Sequence, residues 1–380
     1  MLKNITICHL TSAHPRYDTR IFIKECKSLS KYYEVNLVVA DGKGDEIKNG
    51  INIYDVGKLN GRLNRIFKTT KMVFKKAIEL NCNIYHLHDP ELIPIGLKLK
   101  KLGEKVIFDA HEDLPKQLLG KSYLNKSLLK ILSKAFGVFE KYACKKLDYI
   151  VTATPFIRDK FLKININSID INNYPILSEL SNKNSWSARK NEVCYIGNIS
   201  KIRGVKEMVK AMEYTNNIRL NLGGWFIEKD IENKVKNLKG WTKVKELGFL
   251  NRDGVAKVLA NSKVGLVVLH PIINYKDALP VKMFEYMSAG LPVIASNFSL
   301  WETIIEGNNC GICVNPFDPK EIAKAIEYIL NHPLEAEIMG KNGRKAVEEK
   351  YNWTNEEKKI IEIYKKLNNN NKYSKTNNEI

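Results

Sequence analysis

Short apolar runs alternate with stretches of helical period along most of this chain. Ile5–Leu10 predicts a buried strand, Thr19–Lys31 a helix and Glu34–Ala40 the next strand, closed by a turn at Asp41-Gly-Lys-Gly. Asn83–His88, Lys105–Asp109 and Tyr149–Ala153 are further runs of strand length, separated by helical stretches. Between Asn172 and Lys190 the chain turns polar and loses its period, which predicts an interdomain linker. A second series follows, with strands at Glu192–Ile196, Ile218–Leu222, Val244–Leu247, Val264–Leu269 and Pro292–Ser296. Its helices begin near Gly204, Asn251, Pro280, Asp318 and Pro333. Alternation of this kind predicts an α/β fold of two Rossmann-like domains, each a mainly parallel sheet with helices on both faces.

The expected boundaries are a first domain over 1–172, a linker over 173–190 and a second domain over 191–354. A terminal helix over 355–367 is expected to pack back toward the first domain, and 368–380 reads as a disordered tail. A length of 380 residues suits two cores rather than one. No apolar run reaches the length of a membrane span, and the N-terminus fits a first strand better than a signal peptide. A cytoplasmic protein is therefore expected. Its seven cysteines are odd in number and scattered, which argues against a disulfide framework. Cys310-Gly-Ile-Cys313 has no second pair to complete a zinc site and reads as two small buried residues beside a turn.

The formal charge is +19. Nucleic acid, an anionic membrane surface and a phosphate-rich substrate would each suit it. The chain is also rich in Lys, Asn and Ile throughout, so only clustered charge carries information.

Ligands of open parallel sheets sit beyond the carboxyl ends of the strands, so polar residues just after strands are the site candidates. The strongest such segment is Asp277-Ala-Leu-Pro-Val-Lys-Met-Phe-Glu285, continuing through Gly290-Leu-Pro into the next strand. Pro280 is a favoured first helical residue, and the free N–H groups of that helix start suit a diphosphate. Lys282 in the first turn opposes the helix dipole unless an anion is bound. Glu285 is placed to accept two ribose hydroxyl protons; an ordinary amphipathic helix with a solvated Glu is the plainer reading.

This segment resembles the C-terminal signature of the retaining glycosyltransferases of family 4, which have the GT-B fold of two Rossmann-like domains facing across a cleft. Tyr195-Ile-Gly-Asn-Ile-Ser-Lys-Ile-Arg-Gly204 resembles that family's phosphate segment, and Glu306-Gly-Asn-Asn-Cys-Gly-Ile-Cys-Val-Asn-Pro a later element. His14-Pro-Arg-Tyr-Asp-Thr-Arg-Ile-Phe and His86-Leu-His-Asp-Pro-Glu resemble a branch found among bacterial surface-polysaccharide transferases. The resemblance implies donor contacts from Gly197, Asn198, Arg203, Leu250, Lys282 and Glu285, and from the segment Asp277, Ala278, Leu279 and Pro280. It implies catalytic roles for His111, Asp277 and Arg203. The loop after the first strand offers His14, Arg16, Asp18 and Arg20 as contacts for the acceptor or an anionic sugar, Arg20 equally as a structural residue, and His88 is a further acceptor candidate.

Two departures from the family stand out. Asp277 replaces the usual Glu, which shortens its reach to the donor sugar, and Asn198 replaces the usual phosphate-binding Arg. Arg203 is a good bidentate phosphate ligand and could carry more of the leaving-group charge, with Lys282 or Lys201 supplying the rest; it could equally be a surface charge. His86, His88, Asp89, Asp109 and Glu112 are metal-ligand types on adjacent strand ends, yet no tight ligand spacing appears and the family is usually metal-independent. No metal or other cofactor is therefore expected, and the donor substrate is expected to be a UDP-sugar rather than a GDP-sugar.

Leu118–Lys146 carries Lys121, Lys126, Lys130, Lys134, Lys141, Lys145 and Lys146 among Leu, Ile and Phe at helical spacing. It reads either as a membrane-surface helix or as one buried stripe with solvated lysines. Gly61-Arg-Leu-Asn-Arg-Ile-Phe-Lys-Thr-Thr-Lys-Met-Val-Phe-Lys-Lys is a second basic stretch, and two such elements favour an anionic leaflet. The expectation is thus a transferase, peripheral at the inner face of the cell membrane, that extends a glycan or lipid-linked acceptor of a surface polysaccharide. A GT-B nucleotide-sugar 2-epimerase is the nearest rival enzyme. A nucleic-acid-binding protein is a third reading, but nucleic acid is not expected as a partner because no known module or interleaved aromatic face is present.

Overall fold

The computed structural model describes residues 5–119, 125–180 and 185–376, and the structural statements below concern these residues. The chain divides into two compact units, Met1–Asn173 with Glu356–Ile380, and Tyr174–Asn355.

In the first unit the apolar runs form β1 (Thr6–Leu10), β2 (Glu34–Val39), β5 (Ile84–Leu87), β6 (Lys105–Ala110) and β7 (Tyr149–Thr152). Three further strands were not legible in the sequence: β3 (Glu46–Lys48), β4 (Ile51–Asp55) and β8 (Ser168–Asp170). They flank the others in the order β3-β4-β2-β1-β5-β6-β7-β8. Of these β3 and β8 are the edge strands, which need only one apolar face, so their signal is weak. Pairing is parallel except where β3 runs against β4. Ile7 lies between Val35 and Ile84, and the wholly buried β5 shows why these central strands read as continuous apolar runs.

The predicted first helix is present, but Thr19–Cys26 is wound in π form before an α turn at Lys27–Leu29. Asp18 caps it by accepting from the Arg20 and Ile21 amides at 2.8 and 3.0 Å. The continuous basic helix expected from Leu118 is not what forms. Leu114–Leu119 and Lys126–Cys144 are separate helices, the second capped by Asn125, while Lys121 and its neighbours 120–124 lie outside the described residues. The last helix, Trp353–Thr376, begins in the second unit, belongs to the first from Glu356 onward, and runs past the predicted end at Leu367. Residues 377–380 of the expected tail lie outside the described residues.

The second unit holds β9 (Glu192–Ile196), β10 (Arg219–Gly223), β11 (Val244–Gly248), β12 (Val264–Val267), β13 (Val293–Ser296) and β14 (Gly311–Val314), in the order β11-β10-β9-β12-β13-β14. All pairs are parallel. The strand order reverses between β9 and β12, and that switch point opens a crevice at the strand ends. Helices start at Val205, Arg252, Val281, Pro319 and Pro333, within a residue or two of the predicted places. All seven cysteines are free, with Cys310 buried and Cys313 partly so. Among the described residues no helix is long and apolar enough to cross a membrane.

Candidate functional site

The switch point of the second unit brings the loop after β9 beside the loop after β12. Gly197 leaves β9 with φ +134, a conformation side chains rarely adopt. A Cβ there would stand 2.9 Å from Lys282 Nζ and 3.7 Å from Arg203 Nη1. Two cationic side chains therefore converge on bare backbone. The Lys282 amine is buried, lies 3.6 Å from the centroid of the Tyr195 ring, and has no hydrogen-bond partner. Burial, and then the nearby Arg203 charge, hold its pKa well below the ordinary lysine range. A buried amine without a partner costs free energy that a bound anion would return.

Pro280 was expected as the first helical residue but stands at the N-cap position of the Val281–Ser288 helix, without a side-chain cap bond, so the free amides begin one residue later. The Ala278 amide is engaged by the Tyr275 carbonyl at 3.2 Å, and Trp301 Nε1 donates to the Ala278 carbonyl at 2.8 Å. These bonds fix the loop that the sequence reading treated as open amides; a free amide at Ala278 is corrected to a structural one. Asp277 and Leu279 are half-buried in this loop. Asp277 faces a cavity of about 340 Å³, shared with Asn297, Ser299, Asn315 and Phe317.

Glu285 lies one turn along the helix and is ion-paired. Its Oε1 meets Arg252 Nη1 at 2.7 Å, and Arg252 Nη2 meets Glu179 Oε2 at 2.7 Å. Arg252 was missed by the sequence reading. Its signal was its place after a strand and behind the helix-capping Asn251, which accepts from Gly254 N. Leu250, from the same loop, covers Gly223, where a Cβ would stand 2.8 Å from its Cδ1. Asn198 is exposed, and its carbonyl accepts from Tyr195 Oη at 2.7 Å.

The predicted acceptor residues of the first unit divide in two. His14 and Asp18 reach its surface, 3.5 Å apart, and His14 also lies 3.5 Å from Asp89. Burial opposes charge on both, yet the pair hold one another ionised: the His14 pKa is raised, and Asp18 falls below the usual carboxylate range with help from the Ile21 and Arg20 amides. His14 stacks on His111 with ring centroids 5.2 Å apart, and His111 Nε2 lies 3.2 Å from Asp109. Arg16 and His88, in contrast, are 4% and 1% exposed. The Arg16 guanidinium is taken up by Asp41, Glu46 and the Gly44 carbonyl at 2.6–2.9 Å. Both are corrected from acceptor contacts to interior groups, because burial keeps an acceptor sugar from reaching them. Arg20 is likewise internal, clamping Asp109 with two bonds of 2.8 and 2.9 Å.

A reversal of strand order in each of two parallel-sheet units defines the GT-B fold. Solved structures share it: sucrose-phosphate synthase from Thermosynechococcus elongatus has a TM-score of 0.76 at 18% identity, covering 96% of this chain and 99% of that one. Anabaena HepE in complex with UDP-glucose has a TM-score of 0.74 at 13% identity, covering 95% and 100%. Residues 178–346 match the family model for glycosyl transferases group 1, and Gly197, Arg203, Lys282 and Glu285 all lie within the matched segment. An uncharacterized glycosyltransferase of Methanocaldococcus jannaschii is 25% identical over 60% of this chain and 59% of its own. The chain spans between 44% and 59% of the first curated relatives it matches.

Proposed function

We propose that the chain is a retaining, family 4-like glycosyltransferase that moves a hexose from a nucleoside-diphosphate donor, with UDP as the leaving group, to a lipid-linked glycan acceptor in surface-polysaccharide synthesis. The observation that carries this reading is the buried, unpartnered Lys282 amine, converging with Arg203 on the bare backbone of Gly197. Two cations there suit the two charges of a departing diphosphate, and supply the neutralisation that would otherwise fall to a metal ion. The UDP-glucose bound to the structurally similar HepE agrees with uridine as the base.

In this reading Glu285 exchanges its Arg252 partner for the ribose hydroxyls, and Asp277 touches hydroxyls of the donor sugar. His111 hydrogen-bonds the sugar near the reacting carbon. The acceptor oxygen bonds to the anomeric carbon on the face from which the diphosphate leaves, and its proton passes to the departing phosphate oxygen. Stabilising charge that appears only in the transition state is the main catalytic lever, so no side-chain nucleophile is needed.

Membrane contact is supported by the Lys126–Cys144 helix. Leu128, Ile131, Leu132, Val138 and Tyr142 are exposed on it, Ile131 and Val138 by about two thirds. The helix buries instead a narrow strip that includes Leu129, Ala143 and Cys144. Water-facing apolar residues among lysines favour a peripheral position on an anionic inner leaflet, where each lysine contributes about 1 kcal/mol. Leu63 and Phe67 on the second basic stretch are exposed as well.

Incubation with a panel of nucleotide sugars, with and without membrane extract, tests the proposal. Free nucleoside diphosphate that depends on the extract is expected. Donor isomerised without an acceptor would favour the 2-epimerase instead, and no turnover of any donor would refute both.

A further inference from the structure

Four side chains inside the first unit are left over by the reaction described above. His9 lies near the end of β1, His86 near the end of β5 with His88 just beyond it, and Glu25 comes from the π-wound helix. All four are buried, at 1% exposure or less. Neighbouring registry places His9 directly beside His86. His9 Nδ1 lies 2.8 Å from His88 Nε2. One oxygen, Glu25 Oε2, stands 3.9 Å from His9 Nδ1, from His86 Nδ1 and from His88 Nε2. Neither Glu25 oxygen nor His86 Nε2 has a hydrogen-bond partner, though Glu25 Oε1 stands 3.2 Å from Arg20 Nε and His86 Nδ1 lies 2.9 Å from the Tyr364 hydroxyl.

We propose that His9, Glu25, His86 and His88 bind one divalent transition-metal ion of zinc type, in a closed structural site. One ligand atom from each residue lies within 4.8 Å of the others, a spread that a central ion with bonds near 2 Å spans after small side-chain adjustments. Three imidazoles and one carboxylate suit zinc or cobalt better than the oxygen-seeking magnesium or calcium. The outer shell has the arrangement that orients histidine ligands. His9 turns Nδ1 inward and places Nε2 3.2 Å from the Tyr364 hydroxyl. His88 turns Nε2 inward and places Nδ1 3.4 Å from Asp109, which Arg20 holds in turn. A hydroxyl beside one outward ring nitrogen and a carboxylate near another are the kind of partners that fix metal-binding imidazoles, while the outward His86 Nε2 has none. With four protein ligands the ion has no open position and no part in sugar transfer. It ties β1, β5 and the π-wound helix together, and through Tyr364 the last helix.

The full chain, refolded with Co²⁺ or Zn²⁺ and freed of loose metal by gel filtration, tests this by metal analysis and visible absorption. One Co²⁺ per chain with the intense bands of a four-coordinate ion is expected. His9→Gln and His86→Gln should retain none, whereas His111→Gln should retain it, since His111 belongs to the neighbouring set with His88 and Asp109. Tyr364→Phe keeps every ligand, and serves where a ligand variant fails to fold; it should weaken Co²⁺ affinity by about 10–100-fold. A wild-type chain that retains neither ion, a His9→Gln chain that folds and retains as much as wild type, or a Tyr364→Phe chain of unchanged affinity would overturn the site.

Discussion

Replacing Lys282 by Met separates a binding lysine from a structural one. Met keeps the stem that lies beside the Tyr195 ring and removes only the amine, 3.6 Å from the ring centroid. An unpartnered buried polar group costs about 1–3 kcal/mol, and the contact with the aromatic face returns about 0.5–2 kcal/mol. The unliganded variant should therefore be more stable by about 1 kcal/mol, which raises Tm by about 2–4 °C in a domain of this size. Its affinity for UDP should move the other way. Loss of a hydrogen bond to a charged group costs about 1.5–3 kcal/mol, or roughly 10–150-fold in Kd. Proton counting adds a second signature. Below its lowered pKa the amine is charged in both folded and unfolded chains; between that value and the ordinary 10.5 only the unfolded chain holds the proton. Wild-type stability should thus rise with pH through this window and level off above it, and the Met variant should lack the rise. A bound diphosphate returns the proton, so UDP binding in the same window should take up a proton and weaken as pH increases. Differential scanning fluorimetry and calorimetry in two buffers measure all of this. A variant with lowered Tm and unchanged UDP affinity would show the lysine to be part of the scaffold, and the donor site would fall with it.

Glu285→Ala should weaken UDP binding by about 1.5–3 kcal/mol, and Arg203→Ala should lower kcat more than it raises KM; wild-type kinetics in both would refute their roles. Gly197→Ala places a methyl 2.9 Å from Lys282 Nζ at φ +134, so both stability and UDP affinity should fall, read by thermal shift with and without nucleotide. Ile131→Glu with Val138→Glu exchanges two exposed apolar residues on one helix. Sedimentation with anionic vesicles at low salt should drop while Tm stays within about 2 °C, since surface changes act weakly on stability; equal sedimentation of wild type and variant would remove the membrane proposal.

The chain's local pattern went far. Buried central strands such as β1, β9 and β12 announce themselves because both of their faces are covered, and a run such as Val264–Val267 has no other use. Helix starts were legible for a similar reason. Asn251 and Asp318 cap through their own side chains, and Pro319 and Pro333 stand at first helical positions, so each signal is contained within a few residues. Gly197 and Glu285 could be singled out because a strand end and a helix start are themselves local features.

What the sequence by itself determined is therefore the alternation, the turns and the places where polar residues follow strands. Only the tertiary structure decided which of those residues meet. The reversed order that seats β12 beside β9 brings Lys282 to Gly197 and Arg203 and strips it of water. The same folding engages Arg16 with Asp41 and Glu46, pairs Glu285 with Arg252, and closes His88 among His9 and Asp109. It also divided the apolar residues of the Lys126–Cys144 helix, burying Leu129, Ala143 and Cys144 and leaving Leu128, Ile131 and Val138 exposed, where periodicity alone allowed either face. Period and capping are read from neighbours a few positions apart, whereas burial and ion pairing depend on partners tens to hundreds of positions away, and those are set by how the sheets assemble.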